Sequence, residues 1–148
     1  MEAYPAVDVG IGGSESDLDH AGSSSAVPFR VLCLGNELLA DDALGFVVAR
    51  RIRDLGWTDC EAVETALTGF GLFDLRLDAD RLVVVDTIVT GKTRPGTIHV
   101  MTEDDLAGSP GSGPHYIGIL ETLLLARTLR LHVPKSVIFV AVEAADCL

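Results

Sequence analysis

RLVVVDTIV, residues 81–89, has five Val or Ile among nine residues and an unbroken apolar centre. Such a run reads as a strand buried on both faces, the kind found in parallel sheets covered by helices. Asp86 interrupts it where the strand should emerge from the core. An unpaired buried carboxylate is costly. Asp86 therefore either caps a turn or serves a site at the end of the strand.

The pattern on either side alternates. Upstream, FRVLCLG (29–35) is a second apolar run, ending in Gly35. ALGFVVARRIRDLG (43–56) places Leu44, Val47, Val48, Ile52 and Leu55 on one helical face and closes on Gly56, a C-terminal cap. CEAVETA (60–66) reads as a strand and GFGLFDLRL (69–77) as a short helix. Downstream, a KTRPGT turn (92–97) leads into the strand TIHVMT (97–102). EDDLAGSPGSGP (103–114) is a loop by composition. HYIGILETLLLARTLRL (115–131) reads as a helix and VPKSVIFVAVE (133–143) as a last buried strand. The order β-α-β-α-β-β-α-β predicts a three-layer α/β fold: a mainly parallel twisted sheet of about five strands, one edge strand antiparallel, with helices on both faces.

Residues 1–28 hold five acidic residues, no Lys or Arg, and much Gly and Ser, and read as a disordered acidic tail. Residues 29–148 then form a single domain, and 148 residues suffice for one real core. The net charge of −11 argues against nucleic acid or an anionic membrane as partner. No apolar run reaches the roughly 20 residues of a membrane span. Three widely spaced cysteines, Cys33, Cys60 and Cys147, form neither a disulfide framework nor a CxxC site. With no signal peptide at the start, a reducing cytoplasm is expected. Cys33, within a strand, reads as an inert core thiol. His99 lies in a strand, and His20 and His132 lack partners in the pattern; all three read as structural or solvated.

Ligands of open α/β sheets bind at the carboxyl ends of the strands. Three polar features should gather there: the pair Asp41-Asp42 in GNELLADDALG (35–45), Asp86, and His115 at the start of a long helix. Successive residues on a helix diverge by about 100°, so the two aspartates cannot share one target. Asp41 is assigned to the helix cap and Asp42 to the cleft. The reverse satisfies the same spacing, because a cap is fixed from sequence only to within a residue. Capping and surface roles also account for each feature taken singly. Together, Asp42, Asp86 and His115 offer two carboxylates and one imidazole, a lean donor set for Ni²⁺ or Zn²⁺ that suits transient contact with a metal. The GxGxxG spacing and the phosphate-loop lysine are both missing.

LGNELLADDALGFVVARRI (34–52), LVVVDTIVTGKTRPGTIHV (82–100) and GPHYIGILETL (113–123), in that order, resemble the hydrogenase maturation endopeptidases. Those enzymes remove a C-terminal peptide from the large subunit of [NiFe] hydrogenase after nickel insertion. The resemblance spans about residues 30–143. It implies that Asp42, Asp86 and His115 bind a metal, with Gly35, Asn36, Asp41 and Gly45, and less securely Thr68 and Gly69, as structural residues near the site. It further implies nickel presented by the substrate, with Zn or Cd able to substitute, and the precursor of the large subunit as partner. Asp42 and Asp86 are the best catalytic candidates.

The chain departs from the family at AVEAADCL. Ala144 stands where proline is common, and the chain is expected to lack the family's closing helix. One sheet face should then be partly uncovered, in a monomer or weak dimer. Two rival readings are a catalytically inactive metal-sensing or chaperone-like module of the same fold, and a metal-free α/β hydrolase.

Overall fold

The computed structural model describes residues 28–36, 43–66, 79–107 and 114–145. The predicted helix at 69–77 lies outside them, as do residues 1–27 and Cys147. Five strands are present: β1 (Phe29–Leu34), β2 (Cys60–Thr65), β3 (Arg81–Ile88), β4 (Ile98–Thr102) and β5 (Ser136–Glu143). They form one sheet in the order β2-β1-β3-β5-β4. All neighbours run parallel except β4, which pairs antiparallel with β5 at the edge. The mainly parallel sheet with an antiparallel edge strand is the expected one.

Helix α1 (Leu44–Asp54) joins β1 to β2 and packs on the face that carries Val31, Cys33 and Val85. Helix α3 (Pro114–Thr128) precedes β5 and lies on the other face, where Ile119 and Leu123 meet Leu82, Val84 and Phe139. The chain leaves β1 toward β2 on one side and later returns to β3 on the other. The strand order thus reverses between β1 and β3, a switch point that leaves a crevice at the carboxyl ends of those strands.

Two helix ends follow rules of their own. At α1, Gly56 takes a left-handed φ of 66° just past the last turn, the predicted cap. At α3 the same turn is made by Arg130, with φ 57°. Leu131 N–H bonds Ala126 O and Arg130 N–H bonds Arg127 O, the paired bonds of a Schellman motif without glycine. The helix therefore stops three residues short of its expected end.

The stretch 103–114 is not all loop. Residues Glu103–Ala107 form a short helix, α2. Its start is a capping box: Asp105 accepts the N–H and the hydroxyl of Thr102, each at 2.8 Å, while Asp105 N–H reaches back to Thr102 Oγ1 at 3.4 Å. These bonds lower the Asp105 pKa. Leu106 is buried in the core. Glu103 forms a two-pronged pair with Arg127 (2.7 and 2.9 Å), fastening α2 to the last turn of α3.

Cover is uneven. On the α1 face, Ile98 and Val100 of β4 are 61% and 67% exposed and Ile138 of β5 is 37% exposed, so this end of the sheet is partly open. No described helix is long and apolar enough to cross a membrane.

Candidate functional site

Asp86 sits where β3 leaves the core. Along the strand it alternates with Leu82 and Val84, so it points to the α3 face. In register it is one step beyond the last β1–β3 pair, Cys33–Val85, and level with Ala141 of β5. It is 2% exposed, and its Oδ1 accepts the N–H of Thr87 at 2.8 Å, which fixes the plane of the carboxylate. A carboxylate this buried is costly to leave without such donors.

Both helices start at this same edge. Helix α3 ends against α2 at the amino edge, where β5 begins, so its first turn lies toward the carboxyl edge. The backbone of His115 is in that turn, four residues ahead of Ile119 and eight ahead of Leu123. Helix α1 has Ala43 at its N-cap, without a side-chain cap bond. Gly45 is packed so tightly on the end of β1 that a Cβ there would collide with the carbonyl of Leu34. The first turns of α1 and α3 thus bracket Asp86 from the two faces of the sheet. Gly35, with φ 153°, carries the chain out of β1 and donates its N–H to Thr65 O at 3.2 Å; half-buried Asn36 follows. Asp41, Asp42, Thr68 and Gly69 lie outside the described residues. Among the described residues no cluster of three or more His, Cys, Asp or Glu side chains is placed to hold a metal.

A second buried carboxylate, which the sequence reading passed over, lies next to Asp86. Glu143 ends β5 two register steps further on, opposite Ile88. Its Oε1 accepts the N–H groups of Thr90 (2.7 Å) and Gly91 (2.8 Å). Its Oε2 accepts the hydroxyls of Thr90 (2.7 Å) and Thr93 (3.1 Å). Burial pushes the Glu143 pKa up, but these four donors outweigh it and hold it at about 2. With the Thr93 proton directed at Glu143, Nε2 of His99, 3.1 Å from Thr93 Oγ1, must carry the hydrogen that bridges them. His99, read from sequence as structural or solvated, belongs to this structural network. Its weak sequence signal was the grouping of Thr90, Thr93 and His99 in the β3–β4 segment.

The thiols are quiet. Cys33 is fully buried and free, and burial pushes its pKa up to about 12, as expected of a core thiol. Cys60 is also raised by burial.

The model of the hydrogenase maturation protease family matches residues 60–147. A curated relative, the hydrogenase 2 maturation protease of Escherichia coli, is 29% identical over 101 residues, 66% of this chain and 62% of that protein. The chain thus spans under two thirds of the length of that relative. Among solved structures, the E. coli endopeptidase HybD superposes with a TM-score of 0.67 at 24% identity, covering 81% of this chain and 76% of that one. The HybD protease of Thermococcus kodakarensis gives 0.65 at 24%, covering 80% and 81%. At that identity the superpositions speak to the fold alone.

Proposed function

The chain belongs to the hydrogenase maturation protease family, and from that premise we propose that it is a cytoplasmic endopeptidase that cuts the C-terminal peptide from a nickel-loaded [NiFe] hydrogenase large subunit. The observation that carries the reading is Asp86, a carboxylate buried at the carboxyl end of β3 beside the switch point of the sheet.

In this reading the nickel arrives with the substrate. Asp86 and Asp42 supply carboxylate oxygens and His115 an imidazole nitrogen, a donor set that suits a borderline divalent ion. Two carboxylates and one imidazole, with no thiolate, bind such an ion modestly, so productive docking depends on ligands that the precursor brings. The Thr87 N–H bond holds the Asp86 carboxylate in one orientation, so little ordering is left to pay for at docking. Cleavage then adds water across the scissile peptide bond. The Lewis acidity of the substrate's ion, or a carboxylate acting as base on that water, supplies the chemistry.

The test is a processing assay on precursor prepared with and without nickel, read as the mass of the large subunit. Wild type is expected to shorten only the loaded form, and Asp86→Ala to slow that step by about a hundredfold or more while staying folded. Equal cleavage of both forms, or an Asp86→Ala variant as fast as wild type, refutes the role of nickel at this site.

A further inference from the structure

The segment between β3 and β4, residues 89–97, is tied at several points to the single residue Glu143. The carboxylate takes the four donors of Thr90, Gly91 and Thr93 described above. The backbone of the same residue takes Gly96 N–H at 2.7 Å and gives its own N–H to Thr97 O at 2.8 Å. Thr97 closes the turn further, with its hydroxyl on Arg94 O at 2.6 Å. Beginning, middle and end of the loop are thus fixed to one strand end, and the buried carboxylate at the centre takes four hydrogen bonds from the loop, with His99 of β4 3.6 Å from its Oε2. A turn exposed only to solvent needs no such anchoring.

What the anchored turn presents is Lys92 and Arg94, both exposed. Among the described residues neither side chain has an ion-pair partner. Their position is unusual for this chain. Arg30, Arg81 and Lys135 stand at the starts of strands on the amino edge. The remaining described Arg residues lie in the second half of α1 or at the end of α3. Among the described Lys and Arg residues, only Lys92 and Arg94 bring positive charge to the carboxyl edge, at which Asp86 also lies, on a chain with a net charge of −11. Charges held on a preformed backbone lose little conformational freedom on binding, and at the rim of a site they select a partner by charge.

We infer that the Glu143-anchored loop is a specificity element, which holds Lys92 and Arg94 ready for a carboxylate-bearing segment of the protein substrate. The inference rests on the protease reading above. Glu143 acts through the loop and is a positioning residue. Two sources of carboxylate fit: acidic side chains near the cleavage point, and the free C-terminus of the precursor.

The experiment measures KM and kcat on nickel-loaded precursor for wild type and for the double variant Lys92→Gln, Arg94→Gln. Both positions are exposed, so the fold should be kept. The expected result is a KM raised roughly fivefold or more, a kcat within about twofold, and a salt dependence of KM that the variant has lost. Glu143→Gln should raise KM in wild type but add little to the double variant. A loss of stability alone would act equally in both backgrounds.

A labelled synthetic peptide of the precursor's extension, as free acid and as C-terminal amide, separates the sources by fluorescence anisotropy. If the amide binds wild type no better than the double variant, the terminal carboxylate is the ligand. If the preference for wild type survives amidation, acidic side chains are. A double variant with the KM and salt dependence of wild type overturns the inference and leaves the protease reading standing. A wild type that cleaves no precursor overturns both.

Discussion

The two edges of the sheet handle charge in opposite ways. At the amino edge, charges meet opposite charges: exposed Lys135 lies 3.1 Å from half-buried Asp80, and Arg30, itself buried, reaches exposed Glu61 at 2.6 and 2.9 Å. The strands enter there on plain backbone bonds, Arg81 N–H to Pro28 O and Lys135 N–H to Asp80 O. At the carboxyl edge, Asp86 and Glu143 are each 2% exposed, two register steps apart on neighbouring strands, and are held by N–H and O–H donors. An exposed pair such as Lys135–Asp80 contributes little. The carboxylates of the carboxyl edge stay buried only because the chain around them is arranged for it. The carboxyl edge therefore depends on its surroundings where the exposed Lys135–Asp80 pair does not.

The largest effect on stability should come from the tight contact that sets this arrangement. Gly45→Ala forces a methyl onto the Leu34 carbonyl, so α1 must shift away from β1. The expected cost is about 1–3 kcal/mol in urea denaturation. A variant as stable as wild type would mean that α1 is not seated so closely.

A smaller effect is set by pH. The folded pKa of Glu143, about 2, is depressed below its free value of 4.5. Its contribution is therefore whole above pH 4.5 and is lost as pH falls toward 2. Glu143→Gln should lower Tm at neutral pH, with the two curves converging on acidification. Parallel curves would show that the carboxylate is not anchored as described. At the other edge, Lys135→Ala should stay within about 0.5 kcal/mol of wild type, the smallest change of the three. A larger loss there would erase the contrast between the edges.

What the sequence made legible follows the same physics. Strands β1 and β3 stand out because both of their faces are largely buried, which leaves unbroken apolar runs; β5 carries a similar run although one of its faces is partly open. Asp86 stands out because it breaks one. Helix α2 was hidden by the Gly, Ser and Pro that follow it, although Thr102 and Asp105 at capping-box spacing, ahead of the buried Leu106, carried the signal. The end of α3 was missed because Arg130 makes a turn that usually calls for glycine. Glu143 was passed over because its donors, Thr90, Gly91 and Thr93, come from fifty or more residues away. No local pattern joins them. Of the three ligands proposed for the metal, Asp86 and the backbone of His115 lie toward the same edge of the sheet, and Asp42 lies outside the described residues, one position before the N-cap of α1.

The most direct test of the central claim is a calorimetric titration of Ni²⁺ into wild type and into Asp42→Ala, Asp86→Ala and His115→Ala. The account predicts one modest site in wild type, weakened by about tenfold or more in each variant. A wild type without a site, or variants that bind as wild type does, would contradict it and return these residues to capping and packing.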